Sequence, residues 1–82
     1  MNQLINNPVK LAHSLKAKRM VLHLTQEEAA GKSGLLPKTV SLLENHPEKC
    51  SVETLFKHLS ALDLELYLTD RKVPNKSHQE EW

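Results

Sequence analysis

Up to Leu62 the apolar positions recur at helical spacing, and from Leu64 they alternate with polar ones. Asn7-Pro8 reads as an N-cap followed by proline at the first helical position, with Leu11, Leu15 and Leu22 near one face. This predicts a first helix from Pro8 to about Leu22. Thr25-Gln26-Glu27-Glu28 fits a capping box, in which the Thr25 hydroxyl takes an orphan amide and Glu28 reaches back to the cap, so a second helix starts there. It must be short, because Gly34 stands where a left-handed residue would reverse the chain, and Pro37 then opens a third helix running to about Glu44. Asn45-His46-Pro47 stops that helix, since proline disfavours helical geometry in the residue before it. Ser51 caps a fourth, whose Val52, Leu55, Phe56, Leu59 and Leu62 form an amphipathic stripe expected to face the core.

After Asp63 the period becomes two, with Leu64, Leu66 and Leu68 alternating against Glu65, Tyr67 and Thr69, which predicts one strand. A lone strand has nothing in its own chain to pair with, so the same strand of a second subunit is its expected partner. Arg71 to Trp82 is polar and aperiodic and is expected to be disordered in the free protein. The chain thus divides into one unit over residues 1–70 and a tail over 71–82.

Composition supports this picture. A core built from 82 residues is marginally stable alone, which again favours a dimer. Only three aromatic residues accompany many Leu, Ala and Val, a mixture that suits packed helices better than a β-sandwich or an aromatic-lined pocket. No apolar run approaches a membrane span, the start from Met1 to Asn7 lacks the pattern of a signal peptide, and the single Cys50 excludes an internal disulfide. These features point to the cytosol. The net charge of +1 conceals an asymmetry: residues 1–45 carry six basic against three acidic residues, the remainder five against seven. One face could therefore meet phosphate while another meets protein.

The segment QEEAAGKSGLLPKTVSLLE has the spacing two short helices need to cross closely, with Ala30 at the contact, Gly34 in the turn, and Val40 and Leu43 packing inward. In register, Arg19, Thr25, Gln26, Ala30, Gly34, Val40 and Glu44 match the pattern of the Xre and lambda-repressor-like helix-turn-helix family, which the chain resembles. Within it the chain is most similar to the HipB type of antitoxin, which pairs with the HipA kinase. Three further features carry that resemblance: Glu44-Asn45-His46-Pro47, the fourth helix followed by LDLELYL, and the polar tail ending in Glu-Trp.

The resemblance implies an all-α, lambda-repressor-like helix-turn-helix domain with one C-terminal β-strand, Leu64 to Leu68, forming an intersubunit two-stranded sheet through Leu64, Leu66, Tyr67 and Leu68. It implies a dimer that binds double-stranded operator DNA, represses its own operon and restrains a HipA-like serine/threonine kinase toxin, one chain or split in two. It also implies a partly buried ion pair between Arg19 and Glu44. The free amides and dipole at the start of the second helix let Thr25 and Gln26 fix a phosphate. Pro37, Lys38, Thr39, Ser41, Leu42 and Asn45 complete the expected DNA-binding set, with Lys38 the best candidate for reading a base. Leu36, Pro37 and Leu42 depart from the polar residues usual at groove-facing positions and can read only thymine methyls. Specificity must then lean on Lys38, Ser41 and DNA deformation, or binding is weak. Trp82, the only tryptophan, is the candidate anchor in the toxin.

Other chemistries find little support. His46 and Cys50 could be imagined as metal ligands with His58, but Pro47 breaks the helix that would align them and no second pair completes a site. His13, His23 and His78 have no nucleophile or carboxylate at a telling spacing, and Gly31 and Gly34 make no phosphate loop, so neither an enzyme nor a cofactor is expected. Lys16 and Lys18 serve equally as solvated charges or phosphate contacts, and Lys32 reads as solvated. Two rival functions remain at this level: a stand-alone repressor of the phage or restriction-modification controller type, and a protein-interaction module whose third helix has lost base recognition.

Overall fold

A computed structural model describes residues 3–71. Four helices follow one another: α1 (Pro8–Val21), α2 (Gln26–Ser33), α3 (Pro37–Asn45) and α4 (Val52–Ala61), with a single 3-10 turn, Pro47–Lys49, between the last two. The starts are set by local chemistry. Asn7 accepts from the Lys10 amide at 2.9 Å, Thr25 and Glu28 complete a reciprocal capping box, and Ser51 accepts from the Thr54 amide at 3.0 Å. Leu36 caps α3 without any side-chain bond, leaving Pro37 to fix its entry.

Three helix ends share one device. Gly34, His23 and Asp63 adopt left-handed backbone with φ of 72°, 59° and 58°. The amide after each returns to the helix: Leu24 to Arg19, Leu35 to Ala30 and Leu64 to Leu59. The leucine that follows each reversal packs on the core formed by Leu15, Leu43, Leu59 and Leu62. These are Schellman closures with their hydrophobic contact, and they lock the directions of three connections at once. α2 buries only Ala29 and Ala30, small residues that let it lie close to α3 and α4.

One expectation about the second half of the chain needs correction, and a second meets its limit in a single chain. In α4 the buried residues are His58 and Leu59, while Val52 is 67% and Phe56 50% exposed. The apolar stripe is wider than the core of one chain can cover, so part of it is left facing out. The segment after Asp63 carries no strand among the described residues. A strand exists only with a neighbour to bond to, and the described residues of this single chain offer none. Leu64 is spent on its own subunit's core, whereas Leu66, Tyr67 and Leu68 are exposed, Leu68 to 95%. Residues 72–82, and with them Trp82, His78 and nearly all of the expected tail, lie outside the described residues.

Candidate nucleic-acid interface

The first turn of α2 has four amides that no earlier turn can satisfy. The Glu28 amide donates to the Thr25 hydroxyl oxygen at 3.0 Å and the Thr25 amide to Glu28 Oε1 at 2.9 Å, while the Ala29 amide begins the regular ladder on the Thr25 carbonyl at 2.9 Å. The Gln26 and Glu27 amides have no such acceptor and remain open at the positive end of the helix dipole. The Thr25 hydroxyl still has its proton to donate. This end can hold a phosphate, although the exposed Glu27 carboxylate sits beside the same amides and opposes it.

The Gln26 side chain, expected from the sequence as a phosphate contact, turns toward α3, where its Nε2 donates to Glu44 Oε1 at 3.1 Å. One of its two N–H groups stays free. Glu44 also accepts from Arg19 Nε on Oε2 at 2.6 Å and from Arg19 Nη2 on Oε1 at 3.0 Å, a bidentate pair. The remaining Arg19 Nη1 donates to the Leu24 carbonyl at 2.8 Å, inside the Schellman closure of α1. One buried carboxylate thus joins α1, the start of α2 and the end of α3. Burial alone would push the Glu44 carboxyl up, but the bonds from Arg19 and Gln26 and the nearby cationic charge outweigh it and hold the group below the ordinary carboxylate range. The same Glu44 raises Arg19 above its ordinary value against the opposing effect of burial.

In α3 the inward face is Val40, Leu43 and Glu44, which leaves the rest of the helix for solvent or a ligand. Pro37 and Lys38 are exposed, and Thr39, Ser41 and Leu42 are half-buried. Asn45 bends back so that its Nδ2 donates to the Ser41 carbonyl at 2.8 Å, with the Ser41 hydroxyl oxygen at 3.4 Å. Asn45 therefore steadies Ser41 as much as it offers itself. Leu36 is also exposed, so an apolar rim borders Lys38. The structure brings Thr25, Gln26, Arg19 and Glu44 together. The shared grip of Glu44 on Gln26 was not visible in the sequence, because it depends on how α2 meets α3.

His46 Nδ1 lies 3.5 Å from Glu48 in solvent, whereas Cys50 packs against the core with its thiol pushed up by burial and then by Glu48. No group of three potential ligands clusters among the described residues. No helix of the described residues is long and apolar enough to cross a membrane.

A capped short helix, a glycine reversal and a following helix with its polar side uncovered define a helix-turn-helix unit, the architecture of DNA-binding proteins that insert the second helix of the pair into the major groove. No family model matches the chain. It is 38% identical over 84 residues to Antitoxin HipB of Escherichia coli O6:H1 strain CFT073, spanning 98% of this chain and 89% of that protein. It is 37% identical to Antitoxin HipB of Escherichia coli K12, spanning 98% and 96%. The chain belongs to the HipB family of antitoxins. Among solved structures, a HipB variant bound to an O2 20mer superposes with a TM-score of 0.83 at 38% identity, covering 88% of this chain and all of that one. A HipA–HipB–O2–O3 complex superposes at 0.82, also at 38% identity, covering 87% of this chain and all of that one.

Proposed function

We propose that this chain is a cytoplasmic, dimeric antitoxin that binds operator DNA of its own operon and restrains a HipA-like serine/threonine kinase, one chain or two. The observation that carries the DNA half is the juxtaposition, within one rigid pair of helices, of open amides at Gln26 and Glu27 with the uncovered Lys38 face of α3. The α2 amides, the Thr25 hydroxyl and the free Gln26 N–H grip a phosphate and set the docking register. Lys38, Thr39 and Ser41 then address base edges, while Pro37, Leu42 and the neighbouring Leu36 contact thymine methyls. The relatives were crystallised with DNA and with HipA, which makes the same partners the first to test here.

Lys38→Ala should lower discrimination at one symmetric base position, costing about 1–3 kcal/mol per contact, while Gln26→Ala should weaken all sequences alike. Selection from random DNA followed by titration of both variants reads the two effects. A near-palindrome with half-sites about one helical turn apart is expected. Enrichment of no palindrome, with Lys38→Ala binding as the parent does, would remove α3 from the role of recognition helix.

Toxin binding is assigned in part to Trp82, whose ring suits an apolar pocket of the kinase. Deleting residues 72–82 removes nothing from α1 to α4. The deletion should therefore leave DNA affinity and thermal stability nearly unchanged while weakening toxin binding. Trp82→Ala should reproduce about 2 kcal/mol or more of that loss. Calorimetry against the co-purified kinase distinguishes this from a grip made through the helical body alone, for which both variants would bind as tightly as the parent.

A further inference from the structure

His58 is the one buried side chain for which the described structure supplies no polar partner: it is 0% exposed, and neither Nδ1 nor Nε2 makes a hydrogen bond. It lies on α4 beside Leu59, the residue that anchors both the core and the reversal into Leu64. The charged groups that act on it are Glu44 of α3 and Arg19 of α1. The buried face of α2 offers only Ala29 and Ala30 and no titratable group. The imidazole thus sits fully buried and without a hydrogen-bond partner at the edge of the network that positions Gln26. Glu44 already accepts three hydrogen bonds there.

We infer that His58 is an acid-responsive element: its protonation is incompatible with the packed position of α4, so mild acid loosens the helix, the Leu64 anchor behind it and the DNA-binding unit in front. A protonated ring would carry two N–H donors and a full charge into a site with no free acceptor but the remaining lone pair of Glu44. Any pull on Glu44 competes with Arg19 and Gln26. Opening α4 instead hydrates the charge, and it frees the segment that bears Leu66 and Leu68. Burial, more than the opposed effects of Glu44 and Arg19, keeps the folded-state affinity of His58 for a proton below its ordinary 6.5. The opened chain therefore binds the proton first, and stability falls as pH drops from about 6.5 toward the folded value.

The test compares the full-length protein with His58→Leu, which fills the niche without a titratable group. At pH 7 the leucine variant should melt higher by roughly 4–8 °C, because an unmatched polar group is gone. Between pH 6.5 and 5 the parent's folded-to-unfolded ratio, measured by urea titration, should fall relative to the variant by up to about tenfold per pH unit. The His58 resonances should show no titration in the folded protein over that range. A parallel pH dependence for both proteins, or a His58 ring that titrates near 6.5 while the fold stays intact, would overturn the inference. These readouts require no DNA, so they stand or fall apart from operator recognition. Should operator binding be present, its affinity should fall more steeply with acid for the parent than for the variant.

Discussion

Arg19→Ala should destabilise the folded protein by about 3–5 kcal/mol, a large share of what so small a domain can possess. The reason is what the substitution leaves behind. The Glu44 side chain is 2% exposed and would keep its charge with Gln26 Nε2 as its only hydrogen-bond donor, and the Leu24 carbonyl would lose its partner in the closure of α1. Arg19→Lys should recover little of the loss, since one ammonium cannot reproduce two bonds to the carboxylate and a third to a carbonyl. Double replacement of Arg19 and Glu44 by Met and Leu should cost less than Arg19→Ala alone, because no buried charge is left unpaired. The pair also has a pH signature. Because the folded Glu44 carboxyl sits below its ordinary 4.5, its contribution is present above that pH and is lost as pH falls through the folded value. Urea titrations of the three variants check the account, and a loss below about 1 kcal/mol for Arg19→Ala would place the pair among ordinary surface contacts.

Leu66→Pro should convert the dimer to a folded monomer, raising the dimer dissociation constant at least about 100-fold, or roughly 3 kcal/mol. Leu66 is half-exposed in the single chain, and the core of that chain is already closed by Leu64, so the helices lose little. If Leu64 to Leu68 pairs with the same segment of a second subunit, as proposed, the proline removes an amide from that ladder and interrupts the exposed apolar run of Leu66, Tyr67 and Leu68. Those side chains are too apolar and too close in the chain to be left in water at no cost. Sedimentation equilibrium at micromolar concentration, read beside far-ultraviolet circular dichroism, separates the outcomes. Retained helicity with a monomer mass is the expected result, and a dimer of unchanged affinity would show that the segment after Asp63 is not its seam.

The limits of helices were legible because local chemistry fixes them. Asn7-Pro8, the Thr25 to Glu28 box, Gly34 and Pro37 each act on groups within a few residues, and each element starts or turns where they stand. The left-handed His23 and Asp63 were not legible, since only packing of Leu24 and Leu64 on a distant core makes that strained backbone favourable. The same holds for α4. Its apolar spacing was plain, but which part of the stripe turns inward is decided by α1, α2 and α3, and the answer set His58 inside and Phe56 outside. At the candidate interface the sequence singled out Thr25, Gln26 and Lys38 as residues to address DNA while hiding that Gln26 is tethered to Glu44. The alternation from Leu64 to Leu68 suggests a strand, but its pairing would be a property of the assembly and not of one chain.

The most direct test is binding of the purified full-length protein to a labelled fragment from immediately upstream of its own reading frame, titrated at two salt concentrations with a shuffled fragment as competitor. Saturable binding at least about a thousandfold tighter than to the shuffled DNA is expected, weakening steeply as salt releases counterions from phosphate contacts. Equal, weak affinity for both fragments would contradict it and leave the helix-turn-helix unit without an operator.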